Sequence, residues 1–229
     1  MASSGNFAVL NPLTKGSRSN LKNANMTIDS TTADLAGMNA TMGITSGKYY
    51  WEVYINDSGS GYWYVGLNGG YEGGGDYATY SNLNGMTNGV RYRDNGTISD
   101  DTAAENPDRW GTVTVSSTGV STMDNTDVVM VALDYDNKKL WFGKNGTFYN
   151  SGNPASGSNE TVGSSYFTSG ETYLPAITFY ATNDGSFNFG SPPYSESGGN
   201  SDANGYGNFN QSVPSGYYAL NTKNLAEFG

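Results

Sequence analysis

Two of the usual reagents of protein chemistry are missing from this chain. None of its 229 residues is histidine or cysteine. That removes Ser-His-Asp and Cys-His catalysis, thiol nucleophiles and cysteine–zinc sites, along with the commonest general base. Acid–base work would fall to Asp, Glu, Tyr or Lys. Glycoside hydrolysis needs two carboxyl groups about 5–10 Å apart, but Glu52 stands alone between Tyr50 and Tyr54. Asp134 and Asp136 alternate, yet they flank a tight turn, where Asp serves local backbone hydrogen bonds. The same pair with Asn137, or Asp100 with Asp101, offers oxygens to calcium, but the spacing of a calcium loop is absent. The glycine-rich segment 68–77 lacks the lysine and the following helix of a phosphate cradle. We therefore expect no catalytic residue, no cofactor and no metal.

Recognition is better served than reaction. Tyr71, Tyr77 and Tyr80 lie in or just after the glycine-rich segment, and Trp110 follows Pro107-Asp108-Arg109. Tyrosines among Gly, Ser and Asn give rigid contact area with adaptable hydrogen bonding, as in antibody loops. These four residues are the candidate ligand contacts. The competing reading packs the tyrosines over the rim of the fold and Trp110 into its core.

Elements that hold such loops are legible as strands. Tyr49, Trp51, Val53 and Ile55 alternate with Tyr50, Glu52 and Tyr54, a period of two. Trp51 belongs with Tyr49 and Val53 in the core, whereas Trp141 has opposite parity to Leu140 and Phe142 and faces a second layer or solvent. A nearly unbroken apolar run, Val128 to Leu133, leads through Asp136-Asn137-Lys138 to a second strand that ends at the turn dipeptide Asn145-Gly146. Further strands are expected near Leu21, Met26–Ile28, 61–67, 90–92, 110–115, 173–180 and 185–190. Residues 150–170 and 191–208 read as surface loops, and 220–225 as a short closing segment. No helical run at 3.6 spacing separates the strands, which argues a Greek-key-like sandwich.

Composition agrees. Gly (32) and Tyr (18) are abundant while charged residues are 14%, which suits short strands and tight polar turns. A net charge of −10 opposes binding to nucleic acid or anionic membranes, both of which call for clustered Lys and Arg. No apolar run nears the roughly 20 residues of a membrane span, and Met1 to Asn6 lacks the basic start and apolar core of a signal peptide.

Four pieces, in order, resemble the SPRY domain. Ser46-Gly47-Lys48-Tyr49-Tyr50-Trp51-Glu52-Val53 looks like its opening strand, and Tyr64-Val65-Gly66-Leu67 its next. The 127–146 hairpin looks like its central hairpin, with Thr126 where the family has Gly. Leu174-Pro175-Ala176 with Phe187-Asn188-Phe189-Gly190 looks like its close. The resemblance implies an all-β fold, an antiparallel two-sheet β-sandwich of SPRY / concanavalin A-like jelly-roll type, used for recognition rather than chemistry. It covers residues 43–190. Residues 1–42 are expected to pack on the sandwich and 191–229 to form a C-terminal extension.

The ends narrow the expectation. Asn6 to Leu13 resembles the opening of SPRY-type modules in tailed-bacteriophage structural proteins, and Val213 to Leu225 resembles their tail. This resemblance implies a virion surface protein, made in the host cytoplasm and released by lysis. Its role would be capsid decoration with host-surface adhesion; the alternative is a tail-fibre or receptor-binding subunit. A glycan-active enzyme of concanavalin-like fold is the remote reading. Implied partners are other virion proteins of capsid or tail, and a host cell-surface glycan or protein, without nucleic acid or membrane insertion. A homo-oligomer is compatible with the pattern.

Overall fold

The computed structural model describes residues 5–15, 19–30, 35–57, 62–69, 90–96, 98–100, 111–113, 122–180, 183–195 and 198–229. Their strands are β1 (Ser19–Lys22), β2 (Thr27–Ser30), β3 (Leu35–Asn39), β4 (Lys48–Asp57), β5 (Tyr62–Gly69), β6 (Val90–Arg93) and β7 (Ile98–Asp100). β8 (Gly111–Val113), β9 (Val128–Asp134), β10 (Lys139–Lys144), β11 (Thr147–Phe148), β12 (Tyr173–Tyr180), β13 (Asp184–Asn188) and β14 (Tyr218–Ala219) complete them.

They form two sheets. The first runs β1-β2-β13-β4-β9-β10-β11, with β14 beside β4, and the second runs β3-β12-β5-β6-β7-β8. Every pairing is antiparallel except the two-residue β14–β4 contact. The sandwich expected from the sequence is therefore present.

The period of two in β4 does what the pattern implies. Tyr49, Trp51, Val53 and Ile55 enter the core between the sheets with Val129, Val131, Leu133, Leu140 and Phe142. The facing sheet contributes Val65, Leu67, Tyr92 and Ile177. Register is fixed by these apolar faces, since a one-residue slip would turn them to the other side. Trp51 lies opposite Val131, and Leu140 opposite Leu133.

Gly66 is a packing requirement. A Cβ there would sit 2.0 Å from the Val90 carbonyl oxygen, so only glycine lets β6 come this close to β5.

β9 is buried along its whole length, although only one face meets the core. The other face lies under a third layer. Met130, Ala132, Tyr50 and Trp141 point away from the core and pack against Phe209, Tyr217 and Ala219 of the C-terminal extension. A strand covered on both faces reads as a continuous apolar run. Trp141 thus faces this layer, with its ring edge-on to Tyr217 at 6.4 Å and its Nε1 donating to the Ser158 carbonyl at 3.0 Å.

The short closing segment expected over 220–225 has a defined element type. It enters an α-helix, α1 (Thr222–Phe228). Asn221 caps it, its side chain accepting from the Asn224 amide. With seven residues, the helix is too short to show an apolar period.

Candidate recognition surface

The outer face of the first sheet is covered over β4, β9 and β10. Glu52 anchors the layer that covers it. Its side chain is fully buried and accepts from Tyr50 Oη at 2.8 Å, Asn188 Nδ2 at 3.1 Å, and the backbone amides of Asn210 at 2.9 Å and Gln211 at 2.8 Å. The carboxylate that stood alone in the sequence therefore clamps the C-terminal extension. With both oxygens engaged beneath that layer, it has no access to a scissile bond.

Asp202 holds the next stretch of the layer. It accepts from the amides of Asn204, Tyr206 and Ala219 and from Asn224 Nδ2. The N-terminal strand then closes on it. Ala8 donates to the Leu220 carbonyl and Thr222 to the Asn6 carbonyl, both at 2.9 Å. Phe7 and Asn221 form a bridge.

Tyr71, Tyr77, Tyr80 and Trp110 lie outside the described residues, but the strand ends that flank them do not. Gly69 pairs with Tyr173, Leu67 with Val90, Val90 with Asp100, and Asp100 with Gly111. The segment carrying the three tyrosines and the segment carrying Trp110 therefore spring from neighbouring strands at one end of the second sheet.

The described rim at that end is aromatic and hydrogen-bonded. It holds the turn after β9. Asp134 Oδ1 accepts from the Asn137 amide at 3.1 Å, and Oδ2 from Asn137 Nδ2 and Lys48 Nζ at 2.8 and 2.9 Å. Asp136 accepts from the Gly47 amide. These carboxylates perform turn chemistry. Burial pushes the Asp134 carboxyl up, but the Asn137 bonds and the Lys48 ammonium outweigh it and hold it below the ordinary carboxylate value.

Beside the turn, Tyr135 donates to the Glu171 carbonyl at 2.7 Å, and Lys138 Nζ sits 3.1 Å from the centre of the Tyr135 ring. Tyr173 packs edge-on against Phe167 at 5.2 Å and accepts from the Thr168 amide. Sequence reasoning passed over Tyr135, Phe167 and Tyr173. Tyr135, directly after the Asp134 turn residue, was the available signal.

The outer face of the second sheet carries Asn39, Tyr64, Asn68 and Arg91, all buried. The Arg91 guanidinium lies 5.2 Å from the Tyr64 ring centre. No group of three or more His, Cys, Asp or Glu that could hold a metal occurs among the described residues.

These features define a class: a β-sandwich of two antiparallel sheets, with a third layer packed over part of one of them. The SPRY domain profile matches residues 48–192, and the chain belongs to the SPRY family. Domains of this family are generally non-catalytic modules for protein–protein interaction. The structure is similar to the SPRY domain of human HERC1, at 19% identity and a TM-score of 0.52, over 78% of this chain and 96% of that one. It is also similar to a stonustoxin structure at 16% identity and a TM-score of 0.48. That match covers 80% of this chain and 27% of the toxin chain. No curated protein matches the sequence.

Proposed function

We propose that this chain is a non-catalytic surface component of a tailed bacteriophage particle, acting as a capsid decoration protein. Its sandwich would bind neighbouring virion proteins. Loops at the end marked by Tyr135, Tyr173 and the strand ends around Gly69 and Gly111 would contact a host-surface glycan or protein. The observation that carries this reading is the clasp between the ends. Asn6–Leu13 and Val213–Leu225, the two segments that resemble phage SPRY-type modules, are hydrogen-bonded to each other through Ala8–Leu220 and Asn6–Thr222. The resemblance therefore rests on one piece of architecture, not on two unconnected strings.

Two further points support it. Family membership favours binding over catalysis, and the cover over β4, β9 and β10 favours the ends, where positioned loops carry function. Weak single contacts would be strengthened by many copies on one particle, by about 10²–10⁴. Immunogold labelling of purified particles tests the proposal. Label over the head shell supports decoration, label at the tail supports a receptor-binding subunit instead, and unlabelled particles overturn both.

A further inference from the structure

Asn6 to Ala8 of the N-terminal strap and the layer 198–229 both lie outside the family profile, which matches 48–192. They are bonded to each other. Ala8 donates to the Leu220 carbonyl, Thr222 to the Asn6 carbonyl, and the Asn6 amide to Thr222 Oγ1. From Val9 onward the strap is bonded to the sheets instead. Val9 donates to Thr41 Oγ1 and its carbonyl accepts from the Thr41 amide. Leu10 donates to the Asn25 carbonyl and Asn11 to the Asn39 carbonyl. The change of partner falls between Ala8 and Val9.

The hold of these two stretches on the sandwich is largely polar. Phe209, Tyr217 and Ala219 rest on Tyr50, Met130, Ala132 and Trp141, and Ala8 and Leu220 reach the core between the sheets. Beyond that, Glu52 accepts from the Asn210 and Gln211 amides, and Asn188 Nδ2 donates to the Asn208 carbonyl. Such bonds are exchanged for bonds to water on opening, so they fix geometry more than they add stability. One group gains from opening. Asn221, bridged to Phe7, is fully buried, and its Nδ2 has no hydrogen-bond partner; water would supply one. β9, by contrast, is buried along its length and paired on both sides, with β4 and β10. Stretches with less apolar burial open first.

We infer that Asn6–Ala8 and 198–229 form one latch, which undocks as a unit about Val9 and Ser191-Pro192-Pro193 while the two sheets stay folded. Closed, the latch hides the aromatic platform of Tyr50, Met130, Ala132 and Trp141; open, it bares that platform. The inference does not rest on the virion reading.

Hydrogen exchange of the full chain across rising, sub-denaturing urea tests it. The amides of Ala8, Asn210 and Ala219 should exchange through one shared opening, faster than Val131 in β9 and with a smaller urea slope. Phe209→Leu trims the ring that meets Tyr50 edge-on and should speed Ala8 and Asn210 by the same factor, at least about threefold, although Phe209 is not the hydrogen-bond partner of Ala8. Ile177→Val, in the second sheet, should speed Val131 roughly two- to tenfold and leave the three latch amides unchanged, because the sheets remain folded when the latch is open. Latch amides that share the rate and slope of Val131 overturn the inference, as they would then need global unfolding. So does an Ala8 amide that ignores Phe209→Leu, which would separate strap from layer, or a latch that responds to Ile177→Val.

Discussion

Thr126 stands where the SPRY pattern has glycine, and the backbone explains the pattern's preference. Its φ is 73°, in the left-handed region where a β-branched side chain is strained. Its amide is nevertheless committed to the Ile55 carbonyl at 2.8 Å, so the turn keeps its path. Thr126→Gly should relieve this strain by more than glycine costs in unfolded-chain entropy, stabilising the fold by about 1 kcal/mol. Thermal unfolding checks this, and a lowered Tm would refute it. At the same scale, Asp127 and Asp134 control acid stability. Burial raises the Asp127 carboxyl, but the Lys144 ammonium and bonds from Asp124 and Asn145 outweigh it, so it too lies below its ordinary value. A depressed folded value means the unfolded chain takes up protons first as the pH falls. The stabilisation is therefore complete above the unfolded carboxylate range near 4 and is lost as pH falls through the folded values. Asp134→Asn should cost about 1–3 kcal/mol at neutral pH and flatten the acid limb of a urea-midpoint profile; an unchanged acid limb would remove Asp134 from this role.

Elements were legible where one face decided them. β4 alternates because one side is core, and Tyr49, Trp51, Val53 and Ile55 could be placed inside from the sequence. β9 gave a continuous apolar run because a second cover lies over it, but nothing local in Val128–Leu133 says that Phe209, Tyr217 and Ala219 supply that cover. Likewise, Glu52 was conspicuous as a lone carboxylate, but beyond its neighbour Tyr50 its partners are Asn188, Asn210 and Gln211, all more than a hundred residues away. Helix α1 was missed because one capping asparagine precedes too few residues to show a period. The candidate contacts Tyr71, Tyr77, Tyr80 and Trp110 were chosen by composition, and the described strands relate only their flanking ends. The C-terminal layer has its own test. Glu52→Gln places an amide where two backbone amides donate, which should cost about 1–3 kcal/mol. Hydrogen exchange at the Asn210 and Gln211 amides should accelerate more than at Val131. Equal protection in both proteins would mean that the clamp does not hold the layer.

At the scale of the whole molecule, three properties converge. The sandwich has part of one face covered by its own C-terminal residues, and its first and last described segments are joined by backbone hydrogen bonds. Its net charge of −10 favours repulsion between copies at long range. In the role we propose, the module would be displayed in many copies, with avidity in place of single-site strength. The most direct measurement of that role is the number of copies per purified particle by quantitative mass spectrometry. The account predicts hundreds of copies, as a head decoration protein requires. A few to a few dozen would move the chain to the tail, and none would contradict its place on a virion.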